Sequence, residues 1–276
     1  MADSADRIAL STWSLHRLLG SIYPHDLTTD AVGEEQETYG EGSESLLGLP
    51  SVMANHGYHR LEIVSFHLRS RDPVYLGELR DQLEGAEVRL QTLLIDAGDM
   101  TDPLHGARDT RWIGAWLDVA HELGAEHARI VAGQQAPTPD TIARSAAGFR
   151  ELVARNAGSP LRLVTENWGG LLTTPAAVNE LLDRLDGDVG LLADFGNWHG
   201  ETKYDDLAAI FGRAELCHAK AGFADGALDE GDYGHCVGLA EASGYRGPYT
   251  LIFDADQPHE WAGLALERDF ILSRLD

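Results

Sequence analysis

Basic residues are scarce in this chain. Lys and Arg number 21 against 45 Asp and Glu, for a formal net charge of −24 and a pI near 4.7. A surface of that sign repels a phosphate backbone, which argues against a nucleic-acid partner. The acidity is read mainly as solubility, with cation attraction as the functional alternative. Cysteine is nearly absent: Cys217 and Cys236 do not form a C-x-x-C pair, so zinc knuckles and thiol redox motifs are excluded. So few thiols suit a reducing compartment. No basic stretch followed by an apolar run opens the chain, and no apolar run approaches about 18 residues. Neither a signal peptide nor a membrane contact is expected, and the expected location is cytoplasmic. The dinucleotide fingerprint G-x-G-x-x-G and the P-loop G-x-x-x-x-G-K-[ST] are also missing.

What is present is a regular alternation. Of 276 residues, 43% are hydrophobic, enough for a large core. Short apolar runs rich in β-branched residues predict eight strands, at Arg7–Thr12, Arg60–Phe66, Val88–Ile95, His127–Ala132, Leu161–Glu166, Val189–Asp194, Ala214–Ala219 and Pro248–Phe253. Helical spacing separates them, as in Asp109–Leu123, Pro139–Arg155 and Pro175–Leu185, the last with Thr174 placed to cap it. Eight β-α units in this length predict an α/β fold, a (β/α)8 TIM barrel, in one domain over residues 1–276. A polar insert, roughly Gly20–Ser45, interrupts the first unit on the catalytic face. A loop this long is expected to be either an active-site lid or disordered.

In such a barrel the chemistry collects at the carboxyl ends of the strands. The fifth ends Thr-Glu166-Asn167-Trp168 and the sixth Ala-Asp194-Phe-Gly-Asn197-Trp198. The seventh carries His218 and Lys220, and the eighth runs out to Asp254. Each residue alone has an ordinary structural explanation, as a helix cap or a satisfied core histidine. Four in corresponding places point to function, because unpaired carboxylates in a barrel are costly. Carboxylates with one imidazole suit Mn²⁺, Mg²⁺ or Zn²⁺. On the second strand, alternation forbids both Glu62 and His67 from facing inward, and His67, at the catalytic end, is the preferred candidate. Trp13, His16, Arg129, Asn167, Trp168, Asn197 and Trp198 are candidate substrate contacts. Arg129 would equally serve to neutralise the acidic pocket.

The segments TENWGG, LADFGNW, CHAKA and GYRGPYTLIFD resemble the xylose isomerase-like TIM barrel superfamily, the sugar phosphate isomerase/epimerase group. The resemblance runs from LSTWSLHR to the last strand. It implies a divalent metal held by Glu on strand five, Asp on strand six, His on strand seven and Glu on strand eight. The first three fall on Glu166, Asp194 and His218. The fourth position, four residues after the Pro of a Gly-Pro pair, is Ile252, and Asp254 is the candidate to replace it. Asn197 stands where the endonuclease branch has a metal-binding His, which argues against DNA repair.

The resemblance therefore implies a metal-dependent isomerase or epimerase for a sugar-like hydroxy-carbonyl substrate, acting through an enediolate. Glu166 would move one proton, with Lys220, Asp254 or His67 completing the catalytic set. Two alternatives stay open: a lyase that eliminates a leaving group by the same chemistry, and a non-catalytic ligand-binding barrel. A small-molecule partner is expected, and a homodimer is possible on exposed barrel helices.

Overall fold

The computed structural model describes residues 4–275. Eight parallel strands close into a barrel: β1 (Ile8–Ser11), β2 (Arg60–Val64), β3 (Arg89–Ile95), β4 (His127–Ile130), β5 (Arg162–Glu166), β6 (Gly190–Asp194), β7 (Ala214–Lys220) and β8 (Tyr249–Ile252). Closure is made by β8, which pairs with both β1 and β7. This is the expected (β/α)8 TIM barrel, with strand ends within two residues of those predicted. At β2 a 3-10 turn over Ser65–His67 replaces the last expected strand residues.

The helices are α1 (His16–Leu19), α2 (Leu49–Asn55), α3 (Pro73–Gly85), α4 (Gly106–Leu123), α5 (Pro139–Arg155), α6 (Pro175–Leu185), α7 (Lys203–Phe211), α8 (Glu230–Ala242) and α9 (Glu260–Leu272). Local chemistry sets several ends. Thr174 accepts from the Ala177 N–H at the start of α6, as its position predicted. Thr138 and Thr141 cap each other's backbone at the start of α5. No described helix is long and apolar enough to cross a membrane.

Two apolar layers hold the barrel. The outer one lies between strands and helices and buries Trp116, Phe149 and Phe211 almost completely; each such side chain contributes about 1.5–3 kcal/mol. The inner one fills the barrel with Val64, Leu94, Val164, Leu192 and Leu216, against which Trp13 and Phe66 pack. It is the platform on which the mouth is built.

The insert folds into two short antiparallel pairs that dock against the barrel. Ser21–Ile22 pairs with Gln36–Glu37, and His25–Asp26 with Ala31–Val32. The Tyr23 N–H donates to the Phe66 carbonyl at 2.7 Å. The His25 ring lies 4.5 Å from Trp116 and 5.7 Å from Trp112 on α4. Gly42 is obligatory where the insert returns, since a Cβ there would sit 2.4 Å from the Leu19 carbonyl oxygen. Burial pushes His25 down to about 4, so it docks as neutral imidazole. Below the unfolded histidine value of about 6.5 the undocked insert gains a proton the docked one does not, and docking weakens until about pH 4. Limited proteolysis should therefore cut within residues 20–45 faster at pH 5 than at pH 7.5, and His25→Phe should remove that dependence.

On α9, Glu267 is fully buried, and neither carboxylate oxygen has a hydrogen-bond partner. Burial raises its pKa well above the usual value, with the Ile252 backbone N–H acting the other way. Its sign is that of a raised carboxyl: the folded form keeps a proton the unfolded form has lost, so stability falls as pH rises above about 4.3. The slope is about 1.4 kcal/mol per pH unit until the folded group itself ionises. Glu267→Gln should match wild type in Tm near pH 4.5 and exceed it by several degrees at pH 8, measured by thermal denaturation.

Candidate active site

The barrel mouth gathers buried charge. Glu166 ends β5, Asp194 ends β6, and His218 on β7 pairs in register with Asp194. All three are at least 95% buried, and each offers a ligand atom within 4.8 Å of the others. His218 Nδ1 lies 3.5 Å from both Glu166 Oε1 and Asp194 Oδ2. Glu166 Oε1 accepts from Asn197 Nδ2 at 2.8 Å. Glu166 Oε2 lies 3.1 Å from Arg129 Nε but out of line for a hydrogen bond, so it is a buried oxygen with no donor.

The opposite side of the imidazole is fixed by Glu62. His218 Nε2 donates to Glu62 Oε2 at 2.7 Å. Glu62 Oε1 accepts from Gln91 Nε2 at 2.8 Å and Thr92 Oγ1 at 2.9 Å. With Nε2 committed to Glu62, Nδ1 faces the two acids. Burial would disfavour the imidazolium, but Glu62 and Glu166 override it and raise His218 well above its ordinary pKa. Burial would likewise raise Glu166, yet Arg129 and His218 hold it well below the carboxylate range.

A cavity of about 160 Å³ opens on this group, and Asp96, Trp13 and Ile252 share its wall. Arg129 is buried between Asp96 and Glu166, with Trp168 5.1 Å beneath its guanidinium. Of the two expected roles, its geometry is that of the neutralising cation. Trp13, Trp168 and Asn197 line the cavity as expected. Lys220 does too, and Gly196 makes room for its stem, because a Cβ there would lie 2.7 Å from Lys220 Cδ.

Other expected residues lie elsewhere. His67 is carried away by the 3-10 turn that breaks strand alternation after Val64. Its Nδ1 bonds Thr12 Oγ1 at 2.9 Å, it lines a neighbouring cavity beside the insert, and burial pushes its pKa down to about 3. His16 turns to Tyr39, with ring centroids 4.0 Å apart. Asn167, one residue past Glu166, points the other way and brackets the Asp194 backbone, donating to its carbonyl and accepting from its N–H. Trp198 is packed, its indole N–H on the Leu172 carbonyl. Asp254 sits at the outer rim, 3.3 Å from Lys220 Nζ, outside the ligand group; Ile252 holds the strand-eight place in the wall. No residue of the insert lines this cavity. Glu62 and Asp96 were not selected from the sequence. A lone Glu in the apolar run Arg-Leu-Glu62-Ile-Val, and an Asp ending Leu-Leu-Ile-Asp96, were the signals available.

Residues 50–271 match the family model for the xylose isomerase-like TIM barrel. The chain belongs to that family. Among the curated proteins, none matches it. Among solved structures, D-allulose 3-epimerase from Methylomonas sp. superposes with a TM-score of 0.69 at 16% identity, over 98% of each chain. The 3-keto-D-glucoside 4-epimerase from E. coli gives 0.66 at 14%, over 95% of this chain and 99% of that one. A xylose isomerase-like protein from Mycobacterium smegmatis, solved in complex with magnesium, gives 0.69 at 16%, over 99% and 98%. At these identities the likeness is one of fold.

Glu166, Asp194 and His218 suit a divalent cation chemically: two carboxylates, an imidazole with its tautomer fixed from behind, and a buried oxygen without a donor. Glu62→Gln keeps the shape but removes the charge behind His218. It should weaken Mn²⁺ binding about 10- to 100-fold, measured by calorimetric titration of metal-free protein, with the fold unchanged.

Proposed function

We propose that this protein is a divalent-metal-dependent isomerase or epimerase of a sugar-like hydroxy-carbonyl compound, acting through an enediolate. The observation that carries the reading is the buried Glu166–Asp194–His218 group backed by Glu62. Mn²⁺, Mg²⁺ and Zn²⁺ all suit this donor set. When bound, the ion supplies Lewis acidity, polarising a carbonyl and acidifying the neighbouring C–H.

The chain's own groups do the rest. Trp13 and Trp168 offer ring faces to the substrate from the cavity wall. Arg129 and Asn197 fix the Glu166 carboxylate. Abstraction of the proton beside the carbonyl leaves its electron pair in a carbon–carbon double bond and places negative charge on the carbonyl oxygen. Return of the proton to the other carbon, with the hydroxyl proton passing to the former carbonyl oxygen, completes an isomerisation, and return to the opposite face of the same carbon an epimerisation. Glu166 is assigned one proton transfer. Lys220, in register with Ile252 and facing the cavity, takes the role that a strand-eight carboxylate cannot fill here. Ile252 is also the observation favouring a second reading, a barrel that binds a ligand without turnover.

Metal analysis of the purified protein beside Glu166→Gln and His218→Ala tests the site: near-stoichiometric divalent metal in wild type should be lost in both variants. Deuterium incorporation into D-allulose and D-fructose, followed by proton NMR, tests the chemistry. Lys220→Met should slow exchange about 10²- to 10⁴-fold while retaining metal. Metal binding with no exchange on any ketose would favour the binding barrel.

A further inference from the structure

The cavity wall is divided by strand. Going round the barrel, β8, β1, β2 and β3 are consecutive neighbours, and they present Ile252, Trp13, Val64 and Leu94. The other arc, β4 to β7, presents Arg129, Glu166, Asp194 and His218. Val64 and Leu94 belong to the inner apolar cluster, so the apolar arc continues into the barrel interior. Ile252 lies directly beside the charged arc, paired in register with Lys220. Ser11 and Asp96 are the polar groups of the apolar arc's own strands, and Asp96 is engaged by Arg129.

Two consequences follow for a ligand. A hydroxyl turned toward Ile252, Val64 or Leu94 would lose water and find only Ser11 nearby, whose Oγ already accepts from the Trp13 N–H, which disfavours a compound hydroxylated on every carbon. A phosphate or carboxylate would also lack an unpaired cation, since Arg129 is held by Asp96 and Glu166 and Lys220 by Asp254. We propose that the substrate is an uncharged hydroxyketone with a deoxy or alkyl carbon against the β8–β3 arc, and that Ile252 determines this preference. The proposal rests on the function proposed above and names its substrate class.

The test uses Mn²⁺-loaded protein with D-allulose and D-fructose, each beside its 1-deoxy and 6-deoxy analogues. Affinity is read by calorimetry and C–H exchange by NMR in D₂O. At least one deoxy analogue should bind about 10- to 100-fold tighter than its parent. Ile252→Thr, which brings a hydroxyl to the wall, should collapse that ratio, while Ile252→Val should preserve it and report on folding. Parents binding as tightly as every analogue, an unchanged ratio in Ile252→Thr, or no binding by any probe would each overturn the assignment. The two readings fail separately: exchange without a deoxy preference removes this one and leaves the function, whereas preferential binding without exchange does the reverse.

Discussion

Three buried carboxylates, Glu62, Glu166 and Asp194, and the half-buried Asp96 crowd one barrel mouth, with Arg129 and His218 as the buried cations facing them. Burying that much like charge is tolerable because most of these oxygens have a hydrogen-bond donor. Gln91, Thr92 and His218 saturate Glu62; Asn197 and Arg129 hold Glu166; the Gly196 N–H donates to Asp194 Oδ1. Glu166 Oε2 is a buried oxygen left without a hydrogen bond. Capacity for positive charge is thus left at the carboxyl ends of β5 to β7.

The rest of the fold serves that arrangement. The inner cluster of Val64, Leu94, Val164, Leu192 and Leu216 keeps the barrel dry under the charges, which strengthens every ion pair above it. Asn167 ties the end of β5 to the backbone of β6, fixing the distance between Glu166 and Asp194. The insert takes no part in the cavity wall; its contact with the mouth is indirect, through the His16–Tyr39 and Trp13–His16 ring contacts.

The eight strands and the Glu166–Asp194–His218 set were legible because each is an apolar run ending in a polar residue, a pattern that survives without long-range information. His67 and Glu62 were not separable in the same way. Alternation correctly allowed only one of them inward, but the 3-10 turn at Ser65–His67 that decides between them has no turn-forming residue to announce it. Asn167 and Trp198 were placed in the pocket by sequence proximity, whereas side-chain direction sends both elsewhere. Arg129 was legible in type and ambiguous in role, since only its distance to Asp96 and Glu166 distinguishes an internal cation from a ligand-binding one. The insert's acidic, glycine-containing composition carries no sign of its docking, which depends on Trp112 and Trp116, some ninety residues away.

Ile252 is the sharpest departure from the family pattern, and the network around it argues against reading it as decay. Replacing buried ion pairs by well-packed apolar residues is often neutral or stabilising by about 1–4 kcal/mol. A mouth under no chemical constraint would gain by losing Glu62, Glu166 and Arg129 together. Here the strand-eight position is apolar while the imidazole keeps its carboxylate neighbours Glu62, Glu166 and Asp194. An apolar residue beside an intact charged group alters which face of a ligand can be accommodated and which side chain can reach it. Lys220, in register with Ile252 and given room by Gly196, is the titratable group of the cavity that pairs directly with that position. On the proposed function, polar chemistry falls to β7 and β8 shapes the ligand.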